Sequence, residues 1–441
     1  MSTRIRIGNE TLSLLLYFTG LIFAGSILFS LPFATQHGSM RYIDALFTAT
    51  SAVCVTGLTV VDTLSLTRAG QTVLLILIQL GGLGIIAFST LYLFTPRRRI
   101  SVVTRGLAGD YTVPSFEFRT RKIIAQIVTW TFVFELIGAL IIWPVLSEHG
   151  YSFFDSVFHA ISSFCNAGFS TLQSGMESFR DNVLMNGVTM ILIVAGGLGF
   201  IVLQDIARFI QKKKLRLTYH SSIVLRTSAS LILIGAVLFF VLEYNHALKG
   251  MSGGSKIMAS LFQSVTSRTA GFDTIPQAKL TSTAQFVIIV LMFIGASPGS
   301  TGGGVKTTTF YLMLLVALRF REGGGVLVDR NRTIMPHSIF KAAAVVVRAL
   351  LIVLVVAAIL LIAEQAQGRP LGIETAVFES VSAFGTVGLS IGITPSLSVI
   401  SKLALIGAMF MGRVGLFAMA IPHSRLSPER YAMSPKADIL L

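Results

Sequence analysis

Charge and cysteine are scarce in this chain. Of its 441 residues only 12% are charged and two are cysteine, whereas 53% are hydrophobic. A soluble domain carries about 25% charged residues, so half that share excludes an ordinary cytosolic enzyme and a disordered tail. Two cysteines cannot frame a disulfide-stapled secreted fold. Acidic residues are the scarcer sign, 20 against 35 Lys and Arg, for a net charge of +15. Such a balance suggests nucleic acid until the charges are located. They sit in short segments between apolar runs, which is how a polytopic membrane protein marks its cytoplasmic side; the expected partners are membrane lipid and no nucleic acid. The seven histidines show no metal-ligand spacing, and no Ser/His/Asp or paired-carboxylate cluster recurs. The chain therefore reads as a non-enzyme.

What is present begins with long charge-free windows. No Asp, Glu, Lys or Arg lies between Glu10 and Arg41, Arg68 and Arg97, Asp181 and Asp205, or Lys279 and Lys306. Each is long enough for the ~20 apolar residues that cross a hydrocarbon core. Further spans are expected at 121–146, 221–243, 339–363 and 398–421, for eight in all. The segments 1–10, 95–122, 205–226, 319–348 and the tail after Pro422 hold 24 of the 35 basic residues; those at 34–69, 147–181, 243–282 and 364–402 hold nine. The positive-inside bias puts the first set, with both termini, in the cytoplasm of a multi-pass cell-membrane protein. No A-x-A-like cleavage site follows Arg4 and Arg6, so no signal peptide is expected.

The outer segments share a pattern. Each holds an apolar stretch too short to span, at 44–55, 153–166, 257–270 and 374–386, closed by a small-residue turn. The turns read Ser51-Ala52-Val53-Cys54-Val55-Thr56-Gly57-Leu58, Ser162-Ser163-Phe164-Cys165-Asn166-Ala167-Gly168-Phe169, Val265-Thr266-Ser267-Arg268-Thr269-Ala270-Gly271-Phe272 and Ser382-Ala383-Phe384-Gly385-Thr386-Val387-Gly388-Leu389. Ten positions before the glycine stands Phe47, Phe158, Leu261 or Phe378. Period, position and local pattern agree four times, which marks internal repetition. The expected repeats are 11–96, 119–212, 219–320 and 337–422, with a short cytoplasmic tail at 423–441. Each is helix, short re-entrant helix, glycine turn, helix. Irregular backbone at membrane depth is tolerated only where protein buries it or it lines a water path. Four such segments meet that condition together by converging on an axis, where their carbonyls can replace a cation's hydration shell. The fold class expected is all-α, four helix–pore-loop–helix repeats in one chain, pseudo-fourfold around a central pore.

At these residues the sequence resembles the Trk/Ktr/HKT superfamily of potassium and sodium transporters, from roughly Thr11 to Pro422. Gly57, Gly168, Gly271 and Gly388 match the family's four filter glycines, and glycine in all four loops goes with potassium permeation there. The resemblance implies ion ligation by the carbonyls of Val55, Thr56, Asn166, Ala167, Thr269, Ala270, Thr386 and Val387 beside them. Few residues precede the first span, and the tail has no nucleotide-binding βαβ pattern, which fits the Ktr-type membrane subunit. That likeness implies a homodimer sitting on a separate cytoplasmic ring that binds nucleotide. No cofactor is expected on this chain; K⁺ is the transported ion, with Na⁺ as a candidate coupling or activating ion.

A last motif runs from Gly295 through Pro298, Gly299, Gly302, Gly303 and Gly304 to Lys306. It is no Walker loop, because Val305 separates the glycines from the lysine and no strand precedes them. Pro298 and its glycines should break the 283–318 helix near its middle. The resemblance implies an intramembrane gating loop here. Arg413, inside the last span, is expected to face a cavity or partner near that gate. Glu135 is expected to be a buried, hydrogen-bonded acid, and Arg268 and Glu379 to pair behind the filter or to be solvated. Cys54 and Cys165 are expected to be free and buried, and His159 to be a packed polar residue. The competing reading is a sodium-coupled or sodium-permeable secondary cation transporter with its substrate site at the broken helix.

Overall fold

The computed structural model describes residues 9–36, 38–94, 120–213, 215–319, 327–330 and 332–415. The basic run Arg97, Arg98 and Arg99, Lys214 of the run Lys212-Lys213-Lys214, and the tail at 423–441 lie outside the described residues.

The first repeat contains α1 (Asn9–Ser30), the short α2 (Tyr42–Val53) and α3 (Arg68–Phe94). The second contains α4 (Thr120–Glu148), the short α5 (Phe153–Cys165), α6 (Val183–Leu198) and α7 (Phe200–Ile210). The third contains α8 (Tyr219–Glu243), the short α9 (Gly253–Thr266), α10 (Ser282–Phe293) and α11 (Thr307–Arg319). A two-stranded hairpin, β1 (Val328–Asp329) and β2 (Arg332–Thr333), precedes the fourth. That repeat contains α12 (Pro336–Ala366), the short α13 (Ile373–Gly385), α14 (Val399–Phe410) and a π-helical turn at 411–415.

Five helices, α1, α3, α4, α8 and α12, are long and apolar enough to cross a membrane unbroken. Of the other three expected spans two are interrupted, and the last is described as far as residue 415, as α14 and the π-helical turn. Pro298 and its glycines separate α10 from α11, as the sequence indicates. The break between α6 and α7 is not visible as a proline: the chain bends by 107° at Gly199. That residue has φ +90°, and a Cβ there would collide with the backbone of Pro298 and Gly299. The bend makes room for the non-helical segment of the third repeat, whose Gly299 carbonyl accepts from Phe200 N at 3.0 Å.

The short helices pack inside the long ones. Phe47, Phe158 and Phe378 are fully buried, anchoring three of them. In the third repeat Leu261 is only half-buried, and Phe262, one position on, fills the core instead. Three of the short helices carry an acid in the first turn, Asp44, Asp155 and Glu374, where the helix dipole favours negative charge. Ion pairs tie neighbouring repeats at this level: Arg68 with Asp155 at 2.7 Å, and Lys402 with Asp44 at 2.8 Å. At the opposite end Asp329 of the hairpin accepts from Tyr219 and Tyr311 at 2.9 and 2.7 Å and pairs with Arg319 at 3.3 Å. These contacts fasten the hairpin to α8 and α11.

Candidate pore: a ring of four glycines above a buried loop

The four turns meet. A Cβ built on Gly57 would lie 3.1 Å from Gly168 Cα; one on Gly168, 3.1 Å from Gly271 Cα; one on Gly271, 3.1 Å from Gly388 Cα; and one on Gly388, 3.0 Å from Gly57 Cα. The succession closes on itself, so the glycines form a ring in chain order. In each case the carbonyl of the residue before the neighbouring glycine, Ala167, Ala270, Val387 or Thr56, lies in the way of the added atom. The glycines also have φ of +91°, +70°, +77° and +92°. Close approach and left-handed backbone together leave no other residue unstrained here.

Two positions before each glycine the chain again turns left-handed, at Val55 (φ 54°), Asn166 (60°), Thr269 (88°) and Thr386 (50°). For β-branched residues this is an outlying conformation, costing on the order of 1–3 kcal/mol and kept only where the surroundings over-determine it. Left-handed backbone therefore recurs at alternate residues in all four segments. The twelve residues singled out in the sequence thus form one unit, each of the four segments with the same backbone pattern.

Hydroxyls hold that pattern, and the sequence reading missed them. Ser51 Oγ accepts from Gly57 N at 3.1 Å, and Ser382 Oγ from Gly388 N at 3.2 Å. Ser162 Oγ donates to Phe169 O at 2.7 Å, and Thr266 Oγ1 to Phe272 O at 2.8 Å. The signal was available: serine stands six residues before the glycine in the first, second and fourth repeats, and threonine five before it in the third. Outside the ring an open vestibule of about 420 Å³ is lined by the four glycines together with Asp62, Glu177 and Asp273.

Beneath the ring lies the loop from Ile294 to Lys306, between α10 and α11. Its polar side chains Ser297, Ser300 and Thr301 are buried. Hydrogen bonds join it to the α6–α7 bend, Ser297 N to Gly197 O at 3.0 Å and Thr301 N to Gly196 O at 3.1 Å. Arg413, 3% exposed, sits in the π-helical turn and donates to Gly81 O at 3.0 Å and to Thr301 O. Lys306 Nζ donates to Gly302 O at 2.6 Å. Gly295, whose own Cβ would strike Gly303 O, accepts from Arg268 Nη2 at 3.3 Å.

The lone charges resolve individually. Arg268 and Glu379 do not pair: Arg268 reaches Ser228 and Gly295 O, whereas Glu379 accepts from Ser390, Thr394 and the Ile391 amide at 2.6 to 3.0 Å. Each is buried against polar groups of its own repeat, so the expected brace consists of two local ones. Glu135 is buried and accepts from Gln79 Nε2 at 3.0 Å. Cys54 and Cys165 are free and buried, and His159 Nε2 lies 3.0 Å from Thr189 Oγ1.

Re-entrant helices that converge on a ring of backbone, inside an all-helical membrane-spanning shell, define a class: a pore-loop membrane protein with four repeats in one chain. The profile of the TrkH cation transport proteins matches residues 9–433, and the chain belongs to that family. It is 36% identical to the potassium/sodium uptake protein NtpJ of Enterococcus hirae, with 96% of this chain and 95% of that one aligned. It is 35% identical to the Ktr system potassium uptake protein B of Vibrio alginolyticus, over 96% and 92% of the two chains. The fold matches the crystal structure of the potassium transporter TrkH from Vibrio parahaemolyticus with a TM-score of 0.74 at 21% identity, covering 98% of this chain and 86% of that one.

Proposed function

We propose that this chain is the membrane subunit of a potassium uptake system, in which K⁺ crosses through the ring of Gly57, Gly168, Gly271 and Gly388. The observation that carries the reading is the closed ring itself, built from four backbone segments of one conformation. Dehydrating a cation requires oxygen ligands of comparable field, and the carbonyls before the glycines supply them from four sides. The acids of the vestibule raise the local cation concentration. An inside-negative membrane potential drives entry at about 2.3 kcal/mol per charge per 100 mV. Full-length relatives named as potassium and potassium/sodium uptake proteins support the ion class, and the second name keeps Na⁺ as a coupling or co-transported ion.

The loop from Gly295 to Lys306 is the gate in this reading. It lies directly under the ring, and Arg413 beside it places a buried cation where an ion would leave. A cytoplasmic nucleotide-binding ring is the proposed regulator, with the chain as a homodimer in the cell membrane and both termini inside. The secondary-transporter reading places its site at the broken helix. That break is filled by hydrogen bonds within the protein and flanked by two cations, Lys306 and Arg413, so it is the weaker account.

Deleting Gly299–Lys306 tests the gate. In proteoliposomes holding the chain alone, K⁺ uptake should rise by tenfold or more, with its K⁺ preference retained. Unchanged uptake would remove the gate from the account while leaving the ring to be tested separately.

A further inference from the structure

A second register lies on the underside of the ring. The side chains two before the glycines belong to Val55, Asn166, Thr269 and Thr386. Three of them meet three consecutive residues of the loop. Asn166 Nδ2 donates to Thr301 Oγ1 at 2.7 Å. A Cβ on Gly302 would collide with Thr269 Oγ1, and one on Gly303 with Thr386 Oγ1. Residues 301, 302 and 303 thus contact repeats two, three and four in chain order.

Only the first of these contacts is polar. The Thr269 and Thr386 hydroxyls are buried without a hydrogen-bond partner, and the glycines facing them offer no side chain. The orientation of the Asn166 amide follows from its surroundings. Its nitrogen lies 3.3 Å from Ile193 O and 3.4 Å from Phe164 O, both acceptors, so a flipped amide would set oxygen against oxygen. Thr301 Oγ1 accepts from that amide and donates in turn to Phe164 O at 3.2 Å, the carbonyl two residues before Asn166. The same Thr301 carries the carbonyl that Arg413 holds.

We propose that Asn166 and Thr301 form the latch that seats the loop below the ring, with Gly302 and Gly303 as the seat that lets it come close. This rests on the reading of the loop as a gate. Opening then requires the loop to leave all three contacts, and the hydrogen bond is the one with a directional penalty for leaving. It ties residue 301 of the gate to the ring segment of the second repeat, while Arg268 of the third repeat's turn holds the start of the loop at Gly295 O. Asn166 and Thr301 are positioning residues, because each acts through the loop or the ring.

The test uses the full chain in proteoliposomes, without a cytoplasmic partner, and reads basal K⁺ uptake together with the K⁺/Na⁺ ratio. Thr301→Val keeps the shape and removes the hydroxyl. Loss of one net hydrogen bond shifts a two-state equilibrium by roughly fivefold, so basal uptake should rise about that much with the ratio kept. Thr301→Ser restores the hydroxyl and should restore the low rate. Asn166→Leu combined with Thr301→Val should run no faster than the faster single variant, since the Asn166–Thr301 bond is already lost in each; Asn166→Leu also serves as the test if Thr301→Val does not fold. Wild-type uptake in Thr301→Val, or fully multiplicative effects in the double variant, would overturn the latch. If the loop deletion raises uptake while Thr301→Val does not, the latch alone fails; if neither raises it, the gate reading fails first.

Discussion

Arg413 shows most clearly what one residue contributes here. Its guanidinium bridges α3, through Gly81 O, and the loop, through Thr301 O. Hydrogen bonds from a charged donor contribute about 1.5–3 kcal/mol each, and both would be lost on truncation. Arg413→Gln should therefore raise basal K⁺ uptake by about tenfold or more, measured as K⁺ entry under a negative potential. Uptake at or below the wild-type rate would mean that this arginine serves only to pack the π-helical turn. The sequence marks Arg413 because a charge inside an apolar run is conspicuous. Thr301 was not legible in the same way: a threonine among serines and glycines gives no sign that it touches a residue beside the glycine ring 135 positions away. Ser51, Ser162 and Ser382 were legible in principle through their common offset from the glycine. They pass unnoticed because small hydroxyls are also what close helix packing requires. Arg268 and Glu379 were placed at the right depth, but nothing along a sequence tells whether two buried charges face each other or separate partners.

At the scale of elements, the short helices are the most legible feature, since four apolar stretches end in the same turn. Even there the third repeat departs, exchanging Leu261 for Phe262 in the core and Thr266 for the bracket serine. Both shifts run one residue toward the glycine. The bend between α6 and α7 escaped notice because one glycine in an apolar run usually costs only helix propensity. Its purpose lies in another repeat, where the loop needs the space. Gly199→Ala would meet the Pro298 carbonyl and a backbone region that is nearly glycine-only. A loss of about 1–3 kcal/mol is expected, read as a lower Tm in detergent, together with raised basal uptake as the loop is displaced. A lower Tm with unchanged uptake would separate the bend from the gate.

The hairpin between the third and fourth repeats is another such element. Burial alone would push the Asp329 carboxyl up, but the Tyr311 and Tyr219 hydroxyls and the nearby Arg330 and Arg319 hold it below its ordinary value. A lowered carboxyl pKa stabilises the tie at pH above the ordinary range near 4, and the contribution is lost as pH falls through the folded value. The fastening should thus be insensitive to pH across neutrality. Asp329→Asn should weaken it by about 1–3 kcal/mol, seen as faster hydrogen exchange at 327–333. Exchange unchanged by the substitution would show that the hairpin is held by other contacts.

For the whole molecule, one geometry accounts for most of the sequence's peculiarities. Low charge follows from a lipid-facing shell, on which residues such as Leu136, Leu140, Leu354 and Val355 remain exposed to the surroundings. The fourfold repetition follows from the need to surround an axis with irregular backbone that water or protein must satisfy. Glycine recurs where four segments approach within contact distance of one another.

The proposal that K⁺ crosses through the ring is tested most directly by K⁺ against Na⁺ uptake into proteoliposomes, comparing the wild-type chain with Gly57→Ser. A side chain at Gly57 meets the Ala167 carbonyl and Gly168 Cα, so it alters the ring at one of its four corners. The account predicts saturable, K⁺-preferring uptake in the wild type and a lost or strongly reduced preference in the variant. A variant with the wild-type K⁺/Na⁺ ratio would contradict it, because ions would then be selected somewhere other than the ring of four glycines.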